Sequence, residues 1–153
     1  SLFPYIGRSL LINADRAGSS QIIDALVHES IHSMLYMIDA IKKWMPTNAI
    51  INKVGPVILS PWTGRPLNPG NFCQAIFVWY GLFNFWQFAM ANNLYDQEYG
   101  EKRIATIQKG FEKVEIDSLN KEFRLQLNDE VLETVEEVKA AVLLHSHSTV
   151  KSF

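Results

Sequence analysis

From Phe72 to Ala91 the chain carries no charged side chain, and Phe72, Phe77, Trp79, Phe83, Phe85, Trp86 and Phe88 all fall within it. A helix that is apolar nearly all round belongs either in a bilayer or in the middle of a protein core. Cys73, Gln74, Asn84 and Gln87 interrupt the run. Polar side chains and this density of aromatic rings favour the core, so the stretch predicts a buried helix from about Asn71 to Met90 and no membrane span. The rest of the chain must then supply elements to cover it. With 153 residues, 48% of them hydrophobic, there is enough apolar material for one domain over residues 1–153.

The covering elements are also helical by pattern. Ile22, Ile23, Leu26, Val27, Ile31, Met34, Leu35, Ile38 and Ile41 recur at three- and four-residue steps. They predict an amphipathic helix from a Ser19 or Ser20 N-cap to about Trp44, ended by Pro46. Tyr95 to Glu115 reads as a more polar helix, and Ser118 to Leu127 as a further helical turn or two. Asn128 is placed to cap a last helix from Asp129 to about Leu144, with acids in its first turn and a frayed tail from His145 to Phe153. Leu10-Leu11-Ile12 and Val57-Ile58-Leu59 read as short strands or extended segments. Asn13 to Ser20 reads as a loop, and so does Ser60 to Gly70, stiffened by three prolines. The fold class expected is mainly α, with the Leu26–His32 helix packed on the aromatic helix and short extended pieces towards the N-terminus.

Charge excludes some partners. A formal net charge of −2 gives no reason to expect nucleic acid or an anionic membrane surface. The lone Cys73 permits no intrachain disulfide, which fits a reducing, cytoplasmic setting. No basic, then apolar, then small-residue leader is present at the start. The chain opens mid-pattern at Ser1-Leu2-Phe3-Pro4, so it is expected to be the C-terminal part of a longer protein, with an N-terminal region or second chain elsewhere.

The chemistry concentrates in His28-Glu29-Ser30-Ile31-His32. Histidines four apart on a helix stack on one face and can converge on one ion, while Glu29 lies about 100° around the axis, within reach of a metal-bound water. This H-E-x-x-H pattern falls mid-helix, where such a site needs it. A third ligand must come from elsewhere. Leu35 and Ile38 stand where a metzincin would continue its motif. A gluzincin-type glutamate would be Glu98, Glu101, Glu112 or Glu115, none with a supporting motif. The other option is Gln74, a polar residue early in the aromatic helix that needs partners if buried. Arg65, between prolines in its loop, suits a carboxylate held bidentately, and Trp62 beside it could wall a substrate or simply pack. Cys73 reads as a small buried hydrophobe, and His145 and His147 as tail residues.

Four stretches together resemble the bacterial HExxH-containing peptide-modification proteins, also described as 2-oxoglutarate-dependent HExxH peptide β-hydroxylases. They are Ile6-Gly7-Arg8-Ser9-Leu10-Leu11-Ile12, Asp24 to His32, Ser60-Pro61-Trp62-Thr63-Gly64-Arg65-Pro66-Leu67, and Ala75-Ile76-Phe77-Val78-Trp79. The resemblance covers roughly residues 6–90. It implies Fe(II) on His28 and His32, Glu29 as the motif acid, and 2-oxoglutarate as cosubstrate with Arg65 on its distal carboxylate. It also implies a ribosomally made precursor peptide as the partner, hydroxylated at a β-carbon. Where the family has a histidine early in the aromatic helix, this chain has Gln74. Two other readings compete. One is a zinc metallopeptidase with Zn(II) on the histidines and Glu29 as general base. The other is a non-catalytic peptide-binding domain whose histidines are structural.

Overall fold

The computed structural model describes residues 14–45, 58–115, 127 and 129–149. Their order is a short 3₁₀ turn (Ala14–Arg16), α1 (Ser19–Ile41), β1 (Ile58–Leu59), β2 (Pro66–Leu67), α2 (Pro69–Ala91), α3 (Gln97–Phe111) and α4 (Asp129–Thr149). The chain is mainly α, with one two-stranded antiparallel sheet.

Helix α2 is the axis of the structure. Asn68 starts it: its side chain accepts a hydrogen bond from the Asn71 amide at 2.7 Å, and Pro69 fills the first helical position, where no N–H is needed. The helix ends in a Schellman motif. The Leu94 amide reaches back to the Ala89 carbonyl and that of Asn93 to Met90, with Asn93 in the left-handed region at φ 53°. Between these caps Phe72, Ile76, Leu82, Phe83 and Trp86 are fully buried, while Phe88 and Asn84 face out. Each such buried side chain contributes roughly 1.5–3 kcal/mol from desolvation. No described helix is long and apolar enough to cross a membrane.

Helix α1 runs antiparallel to α2, since Gln74 meets His32 near one end and Trp86 meets Asp24 near the other. The two backbones approach closely at Gly81, where an added Cβ would lie 2.5 Å from Ile31 Cδ1. Helix α3 also packs along α2, with Tyr99 against Trp86 and Arg103 over Trp79. Helix α4 closes the core with Val131, Val135, Val138 and Val142.

Several sequence expectations need correction. The N-cap of α1 is Gly18, not Ser19 or Ser20: the Gln21 side chain accepts from the Gly18 amide at 3.1 Å, and the Gly18 carbonyl takes the first helical amides. Ser20 is buried instead and accepts from the Asp96 amide at 3.3 Å. The helix stops at Ile41, ahead of Trp44, because the Asp39 carboxylate accepts from the Trp44 and Met45 amides and turns the chain there. Ser60 to Gly70 is no plain loop. Ile58 pairs with Leu67 and Leu59 with Pro66, making a hairpin that leads straight into α2. The last helix continues to Thr149, so His145 is helical and stacks edge-on to Phe83. The expectations for Leu10-Leu11-Ile12, Pro46, Asn128 and most of Ser118 to Leu127 lie outside the described residues.

Candidate metal centre

His28 and His32 lie one turn apart on the face of α1 turned towards α2. Their ring centroids are 4.9 Å apart with planes at 62°. An imidazole bound through nitrogen at about 2.1 Å holds its centroid about 3.2 Å from the ion, so two rings at octahedral or tetrahedral angles sit about 4.5–5.2 Å apart. The pair already has that spacing.

Both rings are held towards the neutral, ligand-competent form. Burial is the largest cause for each, and the neighbouring His32 further disfavours a proton on His28. Glu29 pulls the other way on both rings, which places its carboxylate near the pair although its residue is exposed. The Gln74 side chain lies within hydrogen-bonding reach of the His32 ring, and this contact also favours its protonation. His32 Nδ1 is buried without a hydrogen-bond partner. A buried ring nitrogen with nothing to bond is costly, and a divalent ion or its water would satisfy it. Two neutral imidazoles and an amide oxygen form a donor set that such an ion accepts. Among the described residues no group of three or more His, Cys, Asp or Glu side chains is placed to hold a metal. The gluzincin alternative therefore finds no third carboxylate there: Glu98, Glu101, Glu112 and Glu115 are all exposed, and Glu98 pairs with Lys102.

Behind the histidines lies a polar cluster that the sequence did not announce. Asp24, one turn before His28, is 8% exposed. Its Oδ1 accepts from Trp86 Nε1 at 2.7 Å and from Arg103 Nε at 2.8 Å, and its Oδ2 accepts from Arg103 Nη2 at 2.7 Å. Arg103 in turn lies over the Trp79 ring, 4.4 Å from its centroid. Both charges act on the His28 ring, Asp24 favouring its protonation and Arg103 opposing it. Burial, and then the Asp24 charge, raises the Tyr99 hydroxyl pKa. The available signal was an acid alone in the apolar run Ile22-Ile23-Asp24-Ala25-Leu26.

Trp62 and Arg65 sit in different surroundings. Trp62 is built into the core: it stacks on Trp79 at 5.4 Å and 12°, meets Phe111 edge-on, and spends its Nε1 donor on the Ile107 carbonyl at 3.1 Å. It packs rather than walls a substrate. Arg65 is exposed on the hairpin, and the guanidinium that acts on His28 is Arg103. Cys73 is fully buried, and desolvation pushes its thiol up to about 12.

No family model matches the chain, and no curated protein matches it either.

Proposed function

We propose that this chain is an Fe(II)- and 2-oxoglutarate-dependent peptide β-hydroxylase that modifies a ribosomally made precursor peptide. The observation that carries the reading is the histidine pair, two neutral imidazoles at metal-chelating separation with a buried, unpartnered His32 nitrogen and Gln74 alongside. His28, His32 and Gln74 would hold the iron. Iron with 2-oxoglutarate supplies the oxygen activation needed to hydroxylate an unactivated C–H bond.

The protein's own part is binding, orientation and exclusion of water. Three protein donors would leave room there for cosubstrate and oxygen. Helix α2 backs the histidines with a packed apolar wall, which keeps bulk water from the reacting centre. Glu29, exposed and acting on both rings, would accept a proton or orient a bound water. Arg65, exposed on the hairpin, is free of the core and remains the candidate for a carboxylate of cosubstrate or peptide.

The proximity of Glu29 to both rings also favours a second reading, a zinc peptidase with Glu29 as general base. The two separate in one assay. The chain is incubated with Fe(II), 2-oxoglutarate, oxygen and candidate precursor peptides, or with Zn(II) and the same peptides. Succinate with a product heavier by one oxygen atom supports the hydroxylase. Cleaved peptide that Glu29→Gln abolishes supports the peptidase and overturns the first reading.

A further inference from the structure

The Asp24–Arg103 pair has a burial and a placement that a stabilising surface ion pair would not need. Asp24 is on the helix that carries the histidines, one turn ahead of His28. Arg103 comes from α3 and Trp86 from α2, so all three helices around the site converge on one carboxylate. The guanidinium makes a bidentate contact and is held from above by Trp79. Side chains are only 21% exposed for Arg103 and 11% for Asp24. Charges this sheltered act on a neighbour with little screening.

A buried arginine beside a histidine pair is unfavourable for a cation-binding site. Its charge repels a divalent ion and must be cancelled locally. Among the described residues, Asp24 is the one that touches it with a full negative charge. We infer that Asp24 is a positioning residue for the metal site, which neutralises Arg103 beneath His28 and fixes the azimuth of α1, so that the pair sets the site's affinity for a divalent cation. This rests on the metal-site reading of His28 and His32. It adds an electrostatic role for residues that are not ligands.

The inference has a signed consequence that packing alone does not. Asp24→Asn keeps the shape and an acceptor for Trp86 but leaves the Arg103 charge unopposed, so it weakens cation binding. Arg103→Met keeps the apolar cover over Trp79 but leaves Asp24 unopposed, so it leaves cation binding as strong or makes it stronger. The double variant restores neutrality and recovers affinity.

The test is Co(II) titration of the full chain and the three variants, read by the visible absorption of bound cobalt, with far-ultraviolet circular dichroism to verify helix content. The expected order is about tenfold or more weaker binding for Asp24→Asn, wild-type or tighter binding for Arg103→Met, and return to within about threefold of wild type in the double variant. Equal weakening in both single variants without recovery in the double overturns the inference and leaves a packing role. An unchanged Asp24→Asn overturns it too. Should one single variant lose its helix content, the neutral double variant still decides, because failure of a folded double variant to bind cobalt near wild-type strength also overturns it. If the wild-type chain binds no Co(II), the metal-site reading fails, and this inference with it. That result is distinguishable from the others because it appears before any substitution is made.

Discussion

Position 74 is where a single side chain decides most about the site. A neutral amide beside His32 would give a third donor without adding negative charge, so the ion would keep more of its charge than it would with a carboxylate. Replacing Gln74 by His is expected to tighten Co(II) or Zn(II) binding by at least about tenfold, because imidazole is the better donor to such ions. Gln74→Ala is expected to weaken it, and competition against a chromophoric chelator reads both. Its neighbour Cys73 is a different matter. A thiol buried in the core and held near 12 has almost no thiolate at neutral pH. The native protein is expected to leave Cys73 unmodified by an aromatic disulfide reagent at pH 8, with one thiol released per chain on unfolding in guanidinium. Fast reaction in the native state would show that the packing around the start of α2 opens.

At the scale of elements, the hairpin packs on the core through Ile58, Leu67 and above all Trp62. Trp62 lies between Trp79 and Phe111 and hydrogen-bonds across to Ile107, and Gly110 has no Cβ because the indole occupies that space. Trp62→Ala is therefore expected to cost about 3–5 kcal/mol in urea unfolding, and Gly110→Ala is expected to destabilise by displacing the same ring. A change under about 1 kcal/mol in Trp62→Ala would mean that the hairpin is not held by its tryptophan. This is also where sequence reading and structure part most clearly. The start of α2 was legible to within two residues, because Asn68 and Pro69 act locally, and so was the His28–His32 face, because its spacing is a property of one helix. Trp62 was legible only as a choice between packing and walling a substrate. Prolines around it suggested a stiff loop, and nothing local named Trp79, Phe111 and Ile107 as its partners. Asp24 and Arg103 escaped for the same reason, since the bond between them spans 79 positions. Pairing at that separation is set by how α1 and α3 dock on α2, and no window of sequence contains it. The Gly18 cap was missed because serines are the commoner cap and the bond is made instead by Gln21.

For the whole molecule, burying two histidines in neutral form links folding to pH. In the unfolded chain each titrates near 6.5. In the folded chain both sit lower, chiefly because burial penalises the charged ring. Between those limits the unfolded state binds more protons, so stability rises with pH there. The contribution is complete above about 6.5 and is lost as pH falls through that value towards the folded pKa values. Below them both states are protonated and the loss stops growing. In chelator-treated protein, the urea midpoint is expected to fall between pH 7.5 and 5.5. That fall should shrink when both His28 and His32 are replaced by Gln, which keeps a polar side chain but does not titrate. Carboxylates ordinarily change their charge mainly below this window, so they do not mimic the effect. Added divalent metal should steepen the dependence, because an ion bound by neutral imidazoles competes with protons for the same nitrogens and stabilises only the folded chain. A midpoint equal at both pH values in the metal-free wild type would mean that the two rings are as free to protonate as in the unfolded chain. The claim that the fold holds them ready for a metal would then lose its support.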